Sequence, residues 1–251
     1  MSNEHVLYRV EDGVAWLTLN RPDRLNAMTN ALMQGICDGL KQVDEDQTVR
    51  VVVITGAGRG FCAGADLQQV VDPDPSSDDN VGQTAGATHD PFNSALAALK
   101  NCPVPTIAKV NGAAAGGGLG LALACDITIA AESAFFVATF GPNLGIVPDM
   151  GTTWSLPRRI GRARALGMSL TGKRLSASEV ETLAGPGNLT ATTSINPEGS
   201  LKVNPAGNPA TDGAFAVEVE PGILHLSNRS GIGSGYLSGE TPPSFTTNQR
   251  T

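Results

Sequence analysis

The sequence predicts an α/β fold in which largely parallel strands alternate with helices. Apolar, β-branched runs such as Val51-Val52-Val53-Ile54 show no polar alternation, as expected of strands covered on both faces. Two such runs lead into turns of small residues, Arg59-Gly60-Phe61-Cys62-Ala63-Gly64-Ala65-Asp66-Leu67 and Asn111-Gly112-Ala113-Ala114-Ala115-Gly116-Gly117-Gly118, each followed by a helix-like segment. Leu32, Ile36, Leu40 and Val43 recur at helical spacing and line one face of a helix.

In chain order, Val6–Val10 and Val14–Leu19 flank Glu11-Asp12-Gly13, a hairpin with glycine at its turn. A helix follows from about Thr29 to Asp44, with Thr29 as its N-cap. Val51–Thr55 is a buried parallel strand. Asp72–Pro91 is acidic and rich in Pro, Ser and Gly, which predicts a surface loop. Phe92, Ala95, Leu96 and Leu99 mark another helix, ended by Pro103. Thr106–Val110 is a strand, Gly118–Ala124 a short buried helix and Asp126–Ala130 the next strand, with Asp126 in a structural role.

Composition narrows the function. The chain has 251 residues, 41% of them hydrophobic, enough for a full-sized core. Its net charge of −7, with no run of Lys or Arg, argues against nucleic-acid binding. The apolar runs are broken by glycine or charge before membrane-spanning length, and the N-terminus does not resemble a signal or transit peptide, so a cytoplasmic protein is expected. Cys37, Cys62, Cys102 and Cys125 lack CxxC spacing and predict reduced thiols, with neither a disulfide frame nor a metal site. Gly56-Ala57-Gly58-Arg59-Gly60 follows a strand but lacks the spacing of a dinucleotide fingerprint.

The two glycine turns are the chemical signal. Small residues at a strand-to-helix junction leave backbone N–H groups free to face a ligand, backed by the positive end of a helix dipole. Two such turns can aim two amides at one oxygen. Each donor of an oxyanion hole is worth roughly a hundred- to a thousandfold in rate.

From about Val6 to Glu181 the chain resembles the crotonase (enoyl-CoA hydratase/isomerase) superfamily. The resemblance is carried by Thr18-Leu19-Asn20-Arg21-Pro22 with Leu25-Asn26-Ala27-Met28, by the Phe61–Leu67 stretch, by the triple glycine and by Cys125-Asp126-Ile127. It implies a spiral of ββα units and an acyl-CoA thioester substrate whose carbonyl is held by the Ala65 and Gly117 amides. Arg24, Leu25, Ala63, Asp66 and Leu67 would line the CoA and substrate site. Asp66 would chiefly support the loop and the CoA-pocket backbone. Arg24 would meet a CoA phosphate, or else stay a solvated surface arginine. CoA enters as part of the substrate, no further cofactor is implied, and homotrimers or hexamers are the family's assembly. The Asp72–Pro91 loop would cover the acyl pocket.

Hydratases of this family use two glutamates to activate water. The first lies two residues after the triple glycine, where this chain has Gly120. The second falls at Gly141 by ungapped alignment, or at Phe140 if the register slips by one. Losing one general acid–base group costs about 10²–10⁴ in rate, so two losses disfavour hydration. The stretch Leu144-Gly145-Ile146-Val147-Pro148-Asp149-Met150-Gly151-Thr152-Thr153-Trp154 instead resembles ring-1,2-epoxyphenylacetyl-CoA isomerases, and dienoyl-CoA isomerases carry an aspartate at the same place. Asp149 is thus the candidate acid/base, with a carboxyl pKa raised by Ile146, Val147, Met150 and Trp154. Its alternative role is to cap a helix beginning near Gly151.

Residues 1–183 therefore predict a crotonase-like catalytic core, and 184–251 a tail without family resemblance. That tail is rich in Gly, Pro, Ser, Thr and Asn, which predicts poor order. Within it only Ala214–Glu220 and Ile223–Leu226 alternate like strands. Of a divergent tail, an altered reading frame or splice, and a chimeric chain, a shifted reading frame is the favoured origin, because the change is abrupt and the tail lacks helical periodicity. The expected activity is isomerisation of an unsaturated or ring-epoxide acyl-CoA, with hydration as the alternative enzyme reaction. A non-catalytic CoA-ester binder or defective remnant is the alternative of another class.

Overall fold

The structure, a computed structural model, describes residues 4–67 and 90–184 together with the short strands 201–204, 215–219 and 222–226. β1 (Val6–Glu11) and β2 (Val14–Leu19) form the expected hairpin. Glu11 pairs with Val14, so the turn is Asp12-Gly13 alone. Both turn residues have positive φ, as a two-residue hairpin of the favoured hand requires.

α1 (Asn30–Glu45) is capped by the Thr29 side chain, which accepts from the Leu32 amide at 3.1 Å. Its apolar stripe, Leu32, Ile36, Leu40 and Val43, is wholly buried. The burial of that stripe holds the helix on the sheet, since propensity alone supports a helix only marginally.

The principal sheet has the order β1-β2-β3-β5-β7, with β3 at Val51–Gly56, β5 at Thr106–Val110 and β7 at Ile127–Ala130. After the β1–β2 hairpin every pairing in it is parallel. Val51, Val52, Val53 and Ile54 are all fully buried, as an unalternating apolar run demands.

A second sheet runs β4-β6-β8-β9, with β4 at Gly60–Cys62, β6 at Ala113–Ala115, β8 at Phe135–Val137 and β9 at Leu175–Ser176. The chain thus alternates between sheets: β3, β5 and β7 enter the first, and β4, β6 and β8 enter the second. α3 (Gly117–Ala124) follows β6 and completes a ββα unit. This is the spiral that the resemblance implies.

α2 (Pro91–Asn101) begins one residue inside the stretch expected to be loop. Asp90 caps it by accepting from the Phe92 amide at 2.9 Å, and Pro91 occupies its first turn. Residues 72–89 of that expected loop lie outside the described residues. Beyond β8 come a π-helical turn (Phe140–Leu144), α4 (Thr152–Ile160), α5 (Arg162–Thr171) and α6 (Ala177–Ala184).

The expected tail strands are present as β11 (Phe215–Val219) and β12 (Gly222–Leu226). With β10 (Leu201–Asn204) they form a separate antiparallel sheet. The expectation of poor order elsewhere in the tail concerns residues outside those described.

Candidate active site

The two glycine turns meet. A Cβ placed on Gly64 would lie 3.0 Å from the Ala115 carbonyl oxygen and 3.2 Å from the Gly117 nitrogen, and Gly64 has φ +95°. Both facts demand glycine. A Cβ on Gly118 would lie 2.1 Å from the Cys62 carbonyl oxygen, so β4 and the start of α3 touch backbone to backbone. This contact brings Ala65 and Gly117, far apart in the chain, to one locus.

The orientation of the Ala65 amide follows from an isolated parallel bridge between Met28 and Ala65. Met28 donates to the Gly64 oxygen at 2.8 Å and accepts from the Asp66 amide at 3.0 Å. In a parallel bridge the flanking residues take both bonds, which turns the N–H of Ala65 away from Met28. Gly117 is the first residue of α3, where the helix leaves its amides without intrahelical partners, and no side chain caps that end. Among the described residues neither amide donates to a backbone carbonyl outside regular structure. Two outward amides beside a helix N-terminus can hold a developing oxyanion.

Of the predicted binding residues, Leu25, Ala63 and Asp66 are bonded into this junction. The Ala63 amide donates to the Leu25 oxygen at 3.0 Å, joining the Leu25–Met28 and Phe61–Leu67 segments. Asp66 is buried and accepts from Arg21 Nη2 at 2.8 Å in an ion pair. Asp66 is thus tied to Arg21, a side chain to which the sequence alone assigns no role. Arg24 lies exposed in a 3₁₀ turn, Pro22–Arg24, and Leu67 is exposed where the described segment ends. Asp126 accepts from both the amide and the hydroxyl of Thr106 at 2.8 Å, a structural bond between β5 and β7.

Asp149 approaches the junction through its neighbour. A Cβ on Gly117 would be 3.4 Å from the Met150 Cγ, so the residue after Asp149 packs directly on the glycine amide site. The helix-capping alternative for Asp149 is overturned. Gly151 is the N-cap of α4 and no side chain caps that helix; Asp149 contributes only its backbone oxygen, accepting from the Thr152 amide at 2.8 Å. Met150 adopts φ +49° and Gly151 φ +70°, a left-handed pair that presents Asp149 ahead of the helix.

The predicted surroundings of Asp149 need correction. Met150 is buried, but Ile146, Val147 and Trp154 are exposed. The Trp154 ring instead lies under Arg158 and Lys100, with charges 4.1 and 5.5 Å from its centroid. Asp149 is exposed as well. Its carboxyl pKa is nonetheless raised, chiefly by partial desolvation, against a lowering bond from its own backbone amide.

Three cysteines are buried and Cys37 is half-buried; all four are free. Burial pushes the Cys62 thiol up to about 12, which leaves it inert beside the site.

The profile of the enoyl-CoA hydratase/isomerase family matches residues 9–185. The chain belongs to that family. It is 49% identical over 177 residues to the 1,2-epoxyphenylacetyl-CoA isomerase of Escherichia coli, covering 70% of this chain and 66% of that protein. It is 39% identical over 180 residues to a probable enoyl-CoA hydratase of Rhodobacter capsulatus, covering 71% of this chain and 66% of that protein. The chain thus spans just under two thirds of the length of these two relatives. Among solved structures, an enoyl-CoA hydratase subunit of Geobacillus kaustophilus superimposes with a TM-score of 0.66 at 36% identity, over 77% of this chain and 70% of that one. One further family member reaches into the tail. A probable enoyl-CoA hydratase of Mycobacterium tuberculosis is 36% identical over 226 residues, covering 88% of this chain and 85% of its own length, past the residue where the family profile stops. No helix among the described residues is long and apolar enough to cross a membrane.

Proposed function

We propose that this family member is an acyl-CoA isomerase. It shifts a double bond or opens a ring epoxide through a thioester enolate. The Ala65 and Gly117 amides stabilise the enolate oxygen, and Asp149 takes a proton from one carbon and returns it to another. A carboxyl pKa raised by partial desolvation makes the carboxylate a stronger base for the first half of that transfer. Leu25, Ala63, Asp66 and Leu67 line the CoA and substrate site, Arg24 meets a CoA phosphate, and CoA arrives with the substrate.

The observation that carries this reading is the obstruction of a side chain at both positions that the family resemblance assigns to hydratase glutamates. A Cβ on Gly120 would lie 2.5 Å from the Met150 Cβ and 2.6 Å from the Met150 oxygen. A Cβ on Gly141 would lie 2.9 Å from the Ser169 oxygen. Phe140, the alternative register for the second glutamate, is buried in the core. At Gly120 the Met150–Thr152 segment takes the space of a side chain, and at Gly141 the Ser169 carbonyl oxygen stands against one. The 49% identity to an epoxyphenylacetyl-CoA isomerase supports the same reading.

Hydration is the second reading, favoured by the hydratase names that other relatives carry. Incubation with a 3-enoyl-CoA in D₂O, followed by product mass, separates the two. Deuterium uptake with a moved double bond and no added water supports the isomerase. Addition of water overturns it. A folded protein that binds the thioester without converting it, or a ring-epoxide analogue, is the CoA-ester binder of the other class.

A further inference from the structure

Arg21 follows β2 at the head of a short turn that it closes from several sides. Its carbonyl oxygen accepts from the Arg24 amide at 3.0 Å and the Asn26 amide at 2.9 Å. Its own amide donates to Asn26 Oδ1 at 2.9 Å. Its guanidinium then forks: Nη1 donates to the Ala27 oxygen at 2.6 Å and Nη2 to Asp66 Oδ2 at 2.8 Å. Within the turn Leu25 and Asn26 have φ +50° and +56°, a left-handed pair that persists only where its surroundings over-determine it.

Two routes lead from this side chain to the amide of Ala65. Through Ala27 it fixes the segment carrying Met28, which bonds Gly64 and Asp66 on either side of Ala65. Through the carboxylate it holds Asp66 itself. The two side chains are only 15% and 9% exposed, so solvent has little access to loosen the pair. Displacing a reacting or stabilising group by about 1 Å costs roughly a hundredfold in rate.

We infer that Arg21 is the positioning residue for the Ala65 oxyanion amide, setting its aim without touching substrate. The inference rests on the enolate reading above. Lysine cannot replace it, because one ammonium does not reproduce the fixed fork that serves Ala27 and Asp66 together.

The test is the infrared carbonyl band of a saturated butyryl-CoA, ¹³C-labelled at its thioester carbon, bound to the full chain and to Arg21→Lys. Steady-state kinetics on a 3-enoyl-CoA accompany it. Polarisation by the two amides moves the wild-type band to lower frequency than that of free ester. In Arg21→Lys much of that shift is lost, and kcat falls roughly ten- to a hundredfold while KM changes little. Full retention of shift and kcat in a folded Arg21→Lys, with only a lower melting temperature, overturns the inference and leaves the ion pair a stabilising contact. An unshifted band in the unsubstituted protein overturns the enolate reading itself, and this inference with it. If Arg21→Lys does not fold, Asp66→Asn carries the same readout with the same expected direction.

Discussion

Met150 occupies the space into which any side chain at Gly120 would project, with its oxygen 2.6 Å and its Cβ 2.5 Å from an added Cβ. Restoring a hydratase-like glutamate by Gly120→Glu therefore forces α3 and the Met150–Thr152 segment apart. Overpacking of this kind costs about 1–3 kcal/mol and occasionally more. The expected outcome is a lower urea midpoint and no hydrated product by mass spectrometry. A variant of unchanged stability that adds water to an enoyl-CoA would refute the packing argument.

Asp149→Asn keeps the side-chain volume and the backbone bond to Thr152 but removes the titrating group. Turnover should fall about 10²–10⁴-fold. Calorimetric affinity for a saturated CoA ester should stay within a few-fold, because no contact to the ester's oxygen is lost. Undiminished turnover removes Asp149 from the mechanism, and a parallel loss of affinity makes it a binding residue instead.

The first sheet was legible in the sequence and the second was not, for a physical reason. Val51–Ile54 announces itself because all four of its β-branched side chains are buried, and Thr106–Val110 because three of its five residues are β-branched. Gly60–Cys62 and Ala113–Ala115 are three-residue strands of mostly small residues. They carry no period and exist only because neighbouring backbone lies close enough to pair. The Thr29 cap was visible because capping is a local bond between near neighbours. The Arg21–Asp66 pair spans 45 positions, and no local pattern joins its ends. The motif singles out Asp149 as the candidate acid/base. That it does not cap α4 required the positive φ of Met150 and Gly151, which place its side chain outside the helix start.

Gly118→Ala tests whether the two glycine turns must touch. The added methyl would lie 2.1 Å from the Cys62 oxygen and 2.9 Å from the Cys62 Cβ, and backbone cannot rotate away as a flexible side-chain tip can. The cost is expected at or above the upper part of the roughly 1–3 kcal/mol typical of overpacking. Leu40→Ala, about 15 Å along α1 from the first residue of that helix, serves as its control. It should lose about 2–5 kcal/mol of stability as a core truncation and keep its kcat. Equal melting temperatures for Gly118→Ala and the wild type would mean that β4 and α3 are not in backbone contact.

The raised pKa of Asp149 has a consequence for stability as well as chemistry. A carboxyl whose folded pKa exceeds its unfolded value of about 3.9 binds its proton more tightly in the native state. Its contribution is fully present below the unfolded pKa and is lost as pH rises through the folded one. Above that window the ionised, partly desolvated carboxylate is a cost that the neutral amide of the Asp149→Asn variant does not carry. Asp149→Asn should therefore melt above the wild type at neutral pH. The difference should shrink as pH is lowered through the raised pKa and vanish below about pH 3.9, where both folded and unfolded carboxyls are protonated. Paired thermal melts from neutral to acid pH measure this directly. A variant that melts below the wild type at neutral pH would show that the ionised carboxylate has a stabilising partner, and that its pKa is lowered in the folded protein.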